Sequence, residues 1–188
     1  MTERNVVPRQ APHVADVAEL AGRLGWKPDK KFNKESDRYE TGEYAWKVGS
    51  RDRVVLAQNQ AVEHAYLVVE APDPADLVAV LLGNFPSWTD EEIRTAVRDA
   101  DSPDDLVDAF HLVGARAFET HEAELSRAIE RGTVHENAQV RLAATLAASR
   151  LRWPELKAVV QNVAEHDPEQ VIRDVTSSYL GRQVWNRS

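Results

Sequence analysis

Apolar positions recur at helical spacing through most of the chain and at strand spacing in one short stretch. Val14, Val17, Ala18, Leu20, Ala21 and Leu24 fall on one helical face and predict a first helix over residues 12–26. Pro12 lies near its start and Gly25 where a C-terminal cap belongs. Residues 27–41 are polar and charged, with Phe32 and Tyr39 as isolated aromatics, and predict a long surface loop. The period then changes to two. Tyr44, Trp46 and Val48 alternate with Ala45 and Lys47, Gly49 to Asp52 supply turn residues, and residues 53–58 and 65–70 carry β-branched and apolar runs. A three-stranded antiparallel meander follows, covered by the helix before it and a short helix over residues 74–82.

Beyond Pro86 every segment is helical. Thr89 and Glu92 make a capping-box pattern ahead of Ile93, Ala96 and Val97. Further helices are predicted from Pro103 to about Arg116, over 120–130 and over 137–151, then from Pro154 and from Pro168. Alanines 143, 144, 147 and 148 leave room for a close helix approach. The expected fold class is therefore α+β, mostly α. The expected organisation is a flexible N-terminus at 1–11, a small α/β unit at 12–86, a helical region at 87–181 and a tail at 182–188.

Three phrases in the second half share a form: Asp101 to Val107, His135 to Arg141, and Asp167 to Arg173. Each is a polar helix start followed by an apolar anchor, at Leu106, Val140 and Ile172, spaced 34 and 32 residues apart. That period marks stacked helical pairs. The second phrase, with Val140, Arg141, Ala144 and Ala148, resembles the second helix of a HEAT-like repeat. The third shares Asp167, Pro168, Ile172 and Arg173 with that pattern, and Trp153 to Leu156 resembles the start of a following repeat. The resemblance covers about residues 101–180. The first phrase departs from it, with Val107 in place of the arginine and Phe110 in place of a small residue. The resemblance implies an α-solenoid with a binding surface and no chemistry. It also implies that the repeat arginine is often structural.

The charge balance narrows the choice of partner. Net charge is −8 with pI about 5.3, which disfavours nonspecific contact with nucleic acid or anionic membrane. Lys27, Lys30, Lys31, Lys34 and Arg38 form a local basic cluster, interrupted by Asp29, Glu35 and Asp37. No apolar run approaches the length of a membrane span and the N-terminus lacks a signal-peptide core, so the cytoplasm is the expected location. With no cysteine, thiolate metal sites and thiol catalysis drop out.

Other chemistry is thinly supported. His121-Glu122 and His135-Glu136 lack the second histidine of a zinc-protease helix, since Leu125 and Gln139 stand there. Glu119, His121, Glu122 and Glu124 do not share one helical face. There is no Gly-rich phosphate loop, and Ser177 and Ser178 read as packing or solvent-facing. No cofactor or metal is expected.

The expected function is non-catalytic protein binding by an immunity or regulatory protein of bacterial type, with Arg141, Arg173 and Trp185 as candidate contacts. A nucleic-acid-binding HEAT-like protein is the alternative, its stripe drawn from Arg127, Arg131, Arg141, Arg150 and Arg152. An enzyme with a dispersed site is a third class.

Overall fold

The computed structural model describes residues 1–29, 43–59 and 64–181, and the chain divides into two units, Met1–Trp88 and Thr89–Ser188. The class is α+β and mostly α, as the pattern predicts.

The first unit is built on an antiparallel sheet of order β1-β5-β4-β3-β2. Its strands are β1 (Thr2–Val6), β2 (Lys27–Pro28), β3 (Glu43–Val48), β4 (Asp52–Asn59) and β5 (His64–Ala71), with helices α1 (Val14–Arg23) and α2 (Ala75–Asn84). The meander β3-β4-β5 is the predicted one, with Trp46 opposite Val54 and Leu56 opposite Leu67. Alternation puts Trp46, Val54, Leu56, Leu67 and Val69 on one face. Val17, Leu20 and Ala21 of α1 and Leu81 of α2 are buried in the same core. Gly49 turns the β3–β4 connection at φ +67°, a conformation that costs glycine little.

Five strands replace the expected three. The added strands lie at the two edges, where pairing is set by backbone groups more than by an apolar pattern. Strand β1 corrects the expectation of a flexible N-terminus. Glu3, Arg4 and Asn5 hide the strand in the sequence, yet Thr2 to Val6 pair with Ala71 to Leu67. Val6, Val7 and Pro8 are buried. The segment is tied on by Trp88 N–H to Val7 O at 2.9 Å and Arg9 N–H to Pro86 O at 2.8 Å, and the Arg9 guanidinium lies 4.5 Å from the Trp88 ring centre. Strand β2 takes the first residues of the expected loop and pairs Lys27 with Lys47. The rest of that loop, with Lys30, Lys31, Lys34 and Arg38, lies outside the described residues.

The second unit holds α3 (Asp90–Arg98), α4 (Pro103–Arg116), α5 (Ala123–Gly132), α6 (Ala138–Leu151), α7 (Lys157–His166) and α8 (Gln170–Leu180). Their starts follow local chemistry. Thr89 and Glu92 form the predicted reciprocal capping box, with Glu92 N–H to Thr89 Oγ1 at 3.2 Å and Thr89 N–H to Glu92 Oε2 at 2.9 Å. Ser102 caps α4 ahead of Pro103, and Asn137 caps α6. Two starts differ from expectation. Pro154–Leu156 forms a 3-10 turn before α7, and α8 begins only after Asp167 has accepted the Glu169 N–H at 2.9 Å.

The helices pair as α3 with α4, α5 with α6 and α7 with α8; α4 packs on α6, α6 on α8, and α3 on α5. Alanines 143, 144, 147 and 148 are all buried in α6. Gly114 of α4 faces them closely: a Cβ there would sit 3.4 Å from Ala147 Cα. Phe110, which stands where the repeat pattern wants a small residue, is accommodated by Gly132. A Cβ at Gly132 would lie 2.6 Å from Phe110 Cε2 and 2.7 Å from the Ala144 methyl.

Candidate interaction surface

The sequence-selected arginines are used internally. Arg141 of α6 is buried, and its Nε and Nη2 donate to the two carboxylate oxygens of Asp167. Its Nη1 donates to the carbonyls of His135 and Glu136, both at 3.0 Å. The hydrogen bond and charge of Asp167 hold the guanidinium pKa above its ordinary value, against the effect of burial. Burial works to raise the Asp167 pKa. The bond from Arg141, the Glu169 N–H, and the charges of Arg141 and Arg173 outweigh it and leave the carboxyl below its ordinary value. Arg173 is half-buried and donates to Asp167 O and Gln170 Oε1. Arg141, expected as a partner contact, is buried in the described structure with its guanidinium bonded to four internal acceptors. Trp185 lies outside the described residues.

The stripe drawn for nucleic acid does not assemble either. Of its five arginines only Arg127 and Arg131 are exposed. Arg150 is half-buried with its Cδ against Gly114, and Arg152 ends α6 at φ +55°. His135 accepts the Asn137 N–H on Nδ1, a helix-start role, and Glu122 is taken by Arg94. Among the described residues no group of three His, Asp or Glu could hold a metal ion.

A different surface emerges on α3 and α5. Arg94 donates from Nε and Nη2 to both oxygens of Glu122 at 2.8 Å, and this bond raises its pKa above the ordinary value despite desolvation. Arg116 grips Asp90 at 2.6 and 3.2 Å. Both guanidinium carbons lie 5.4 Å from the centre of the buried Phe118 ring, a cation–π distance. Phe118 O in turn accepts the Trp153 indole N–H at 3.1 Å, a buried bond that ties the segment after α6 to the end of α4. This scaffold fixes one wall of an open cleft of about 300 Å³. Val97, Leu125 and Ala128 give it apolar lining, and Arg98, Arg127, Arg131 and Glu124 give it charge.

Arg98 bonds Asp99 and Thr95 and stays 59% exposed. Arg127 and Arg131 are exposed and make no ion pair among the described residues. Sequence reasoning missed this surface, although its signal was present: Arg94 and Arg98 are four apart on one amphipathic helix, and Arg127 and Arg131 are four apart on another. Comparison with family models, curated proteins and solved structures gives no match.

Proposed function

We propose that the chain is a non-catalytic protein-binding module that acts through its helical unit, in the manner of a bacterial immunity or regulatory protein. The observation that carries this reading is the α3–α5 cleft, where an apolar floor is ringed by exposed charge of both signs, the anatomy of a protein contact patch. One wall is held by the part-buried Arg94–Glu122 and Arg116–Asp90 ion pairs, so that wall is preformed, and a preformed patch loses less ordering entropy on binding. A HEAT-like arrangement over residues 101–180 belongs to the same proposal. The matching positions of Val140 and Ile172, each three residues after a helix cap and each buried, support it.

Purification of the tagged full chain from its native host at physiological salt is the test. One stoichiometric protein partner is the expected outcome, and recovery of nucleic acid alone, or of no partner, overturns the reading. A nucleic-acid role keeps one observation in its favour, the exposed Arg127 and Arg131, which make no ion pair among the described residues. It requires a gel shift at low salt that weakens steeply as salt rises.

A further inference from the structure

The protein-binding reading leaves open what chemistry the cleft accepts, and the inference here rests on that reading. We propose that the α3–α5 cleft takes a short acidic segment of a partner protein, in which an aliphatic side chain is flanked by carboxylates. Three features select this ligand. Val97 and Ala128, over the buried Leu125, line the cleft with apolar atoms, and its volume of about 300 Å³ has room for an aliphatic side chain and adjoining backbone of a short segment. Arg127 and Arg131 lie one helical turn apart, their Cβ atoms roughly 5–6 Å from one another, so their guanidiniums can meet two neighbouring carboxylates. Arg94 is saturated by Glu122 and Glu91, and it positions the wall rather than the ligand. Arg98 supplies a third cation at the rim.

The surroundings decide against a long polyanion. Residues 89–188 hold 18 acidic and 12 basic side chains. Glu91, Asp99, Glu124 and Glu130 are exposed on or beside the two helices. A nucleic-acid strand carries a charge about every 3.4 Å and would run from the cleft onto these carboxylates. A short segment with two or three carboxylates ends before reaching them.

A displayed library of random peptides, selected against the full chain and against the Arg127→Glu/Arg131→Glu variant, tests the inference. Peptides enriched on the unaltered chain are expected to combine Asp or Glu with Leu, Ile or Val. Their affinity by fluorescence anisotropy should fall about tenfold or more in the variant. Arg127→Lys/Arg131→Lys should recover part of it, since charge returns without the planar fork. Enrichment without acidic preference, or acidic peptides that bind both chains equally, sinks the proposal. Tight binding of oligothymidylate that the variant abolishes overturns it in favour of nucleic acid. If the partner recovered from the native host still binds the double variant, the cleft inference fails while the protein-binding reading stands. If the unaltered chain recovers no protein partner, the reading itself fails.

Discussion

Arg141 and Asp167 are buried together, with Nε to Oδ2 at 2.8 Å and Nη2 to Oδ1 at 3.1 Å, and the pair joins the second hairpin of the helical unit to the turn that opens α8. Both charges are out of water, so removing one strands the other. Asp167→Asn or Arg141→Met is expected to cost about 3–5 kcal/mol in chemical denaturation of the full chain. The double variant should cost less than the sum of the two single losses, with a coupling on the order of 1–3 kcal/mol. Additive losses would show that the bidentate contact contributes little.

The same pair sets an acid limit. The Asp167 carboxyl titrates below its ordinary value in the folded chain. In the unfolded chain it returns to about 3.9. The unfolded state therefore binds the extra proton between those two values. This contribution to stability is fully present above the unfolded value and is lost as pH falls through the folded one. Denaturation followed by far-ultraviolet circular dichroism below about pH 4 should show stability dropping with acid. Asp167→Asn should be less stable at neutral pH and flatter across that acid window. Parallel acid profiles for the two chains would assign the effect elsewhere.

Gly132 gives a test in which the sign decides. In an ordinary helix interior, Gly to Ala stabilises by roughly 1 kcal/mol. Here the added methyl would meet the Phe110 ring and the Ala144 methyl at 2.6 to 2.7 Å, and both belong to packed helices. Gly132→Ala is expected to destabilise by about 1–3 kcal/mol. Phe110→Leu in the same chain should relieve part of the loss. A stabilised Gly132→Ala chain would contradict the close approach of α5 to the Phe110 ring.

The contrast between Val140 and Thr2 explains what the sequence made legible. Helices α3 to α8 were readable because each has a start signal and an apolar stripe, and Val140 and Ile172 occupy equivalent buried positions after their caps. The meander was readable because Trp46, Val54 and Leu67 obey the two-residue period. Thr2 to Val6 and Lys27–Pro28 were not, because an edge strand needs backbone partners and only a little apolar side chain. For the candidate site, local pattern did not reveal that Arg141 is bonded inside the fold. A motif arginine reads the same whether it meets a partner or an aspartate 26 residues along, and only the fold distinguishes them. The arginine pairs of α3 and α5 became a site only when the two helices were seen to pack together.

Strand β1 makes the N-terminus structural. Deleting residues 1–6 would uncover the β5 edge and remove the buried Val6. The expected result is a lower melting temperature for the truncated chain, with faster amide exchange along residues 67–71. A truncated chain that melts with the full one, and exchanges no faster there, would restore the reading of a flexible N-terminus. An N-terminal tag is also a poorer choice than a C-terminal one for partner recovery.

The cleft arginines should behave in the opposite way to Arg141, and the comparison separates binding residues from structural ones. Arg127 and Arg131 are exposed and make no ion pair among the described residues, so the folded state has little to lose when they change. Reversing them removes two positive charges and adds two negative ones near Glu124 and Glu130, a net change of about −4 whose repulsion solvent and salt largely screen at these exposed positions. Arg127→Glu/Arg131→Glu is therefore expected to melt within about 2 °C of the unaltered chain at about 150 mM salt. Arg94→Gln, by contrast, breaks the bidentate bond to Glu122 and the stacking on Phe118, and should lower the melting temperature by about 4 °C or more. Differential scanning calorimetry of the three chains decides the matter. A large loss of stability in the Arg127/Arg131 variant would mark those side chains as part of the helical packing and remove them as candidates for partner contact.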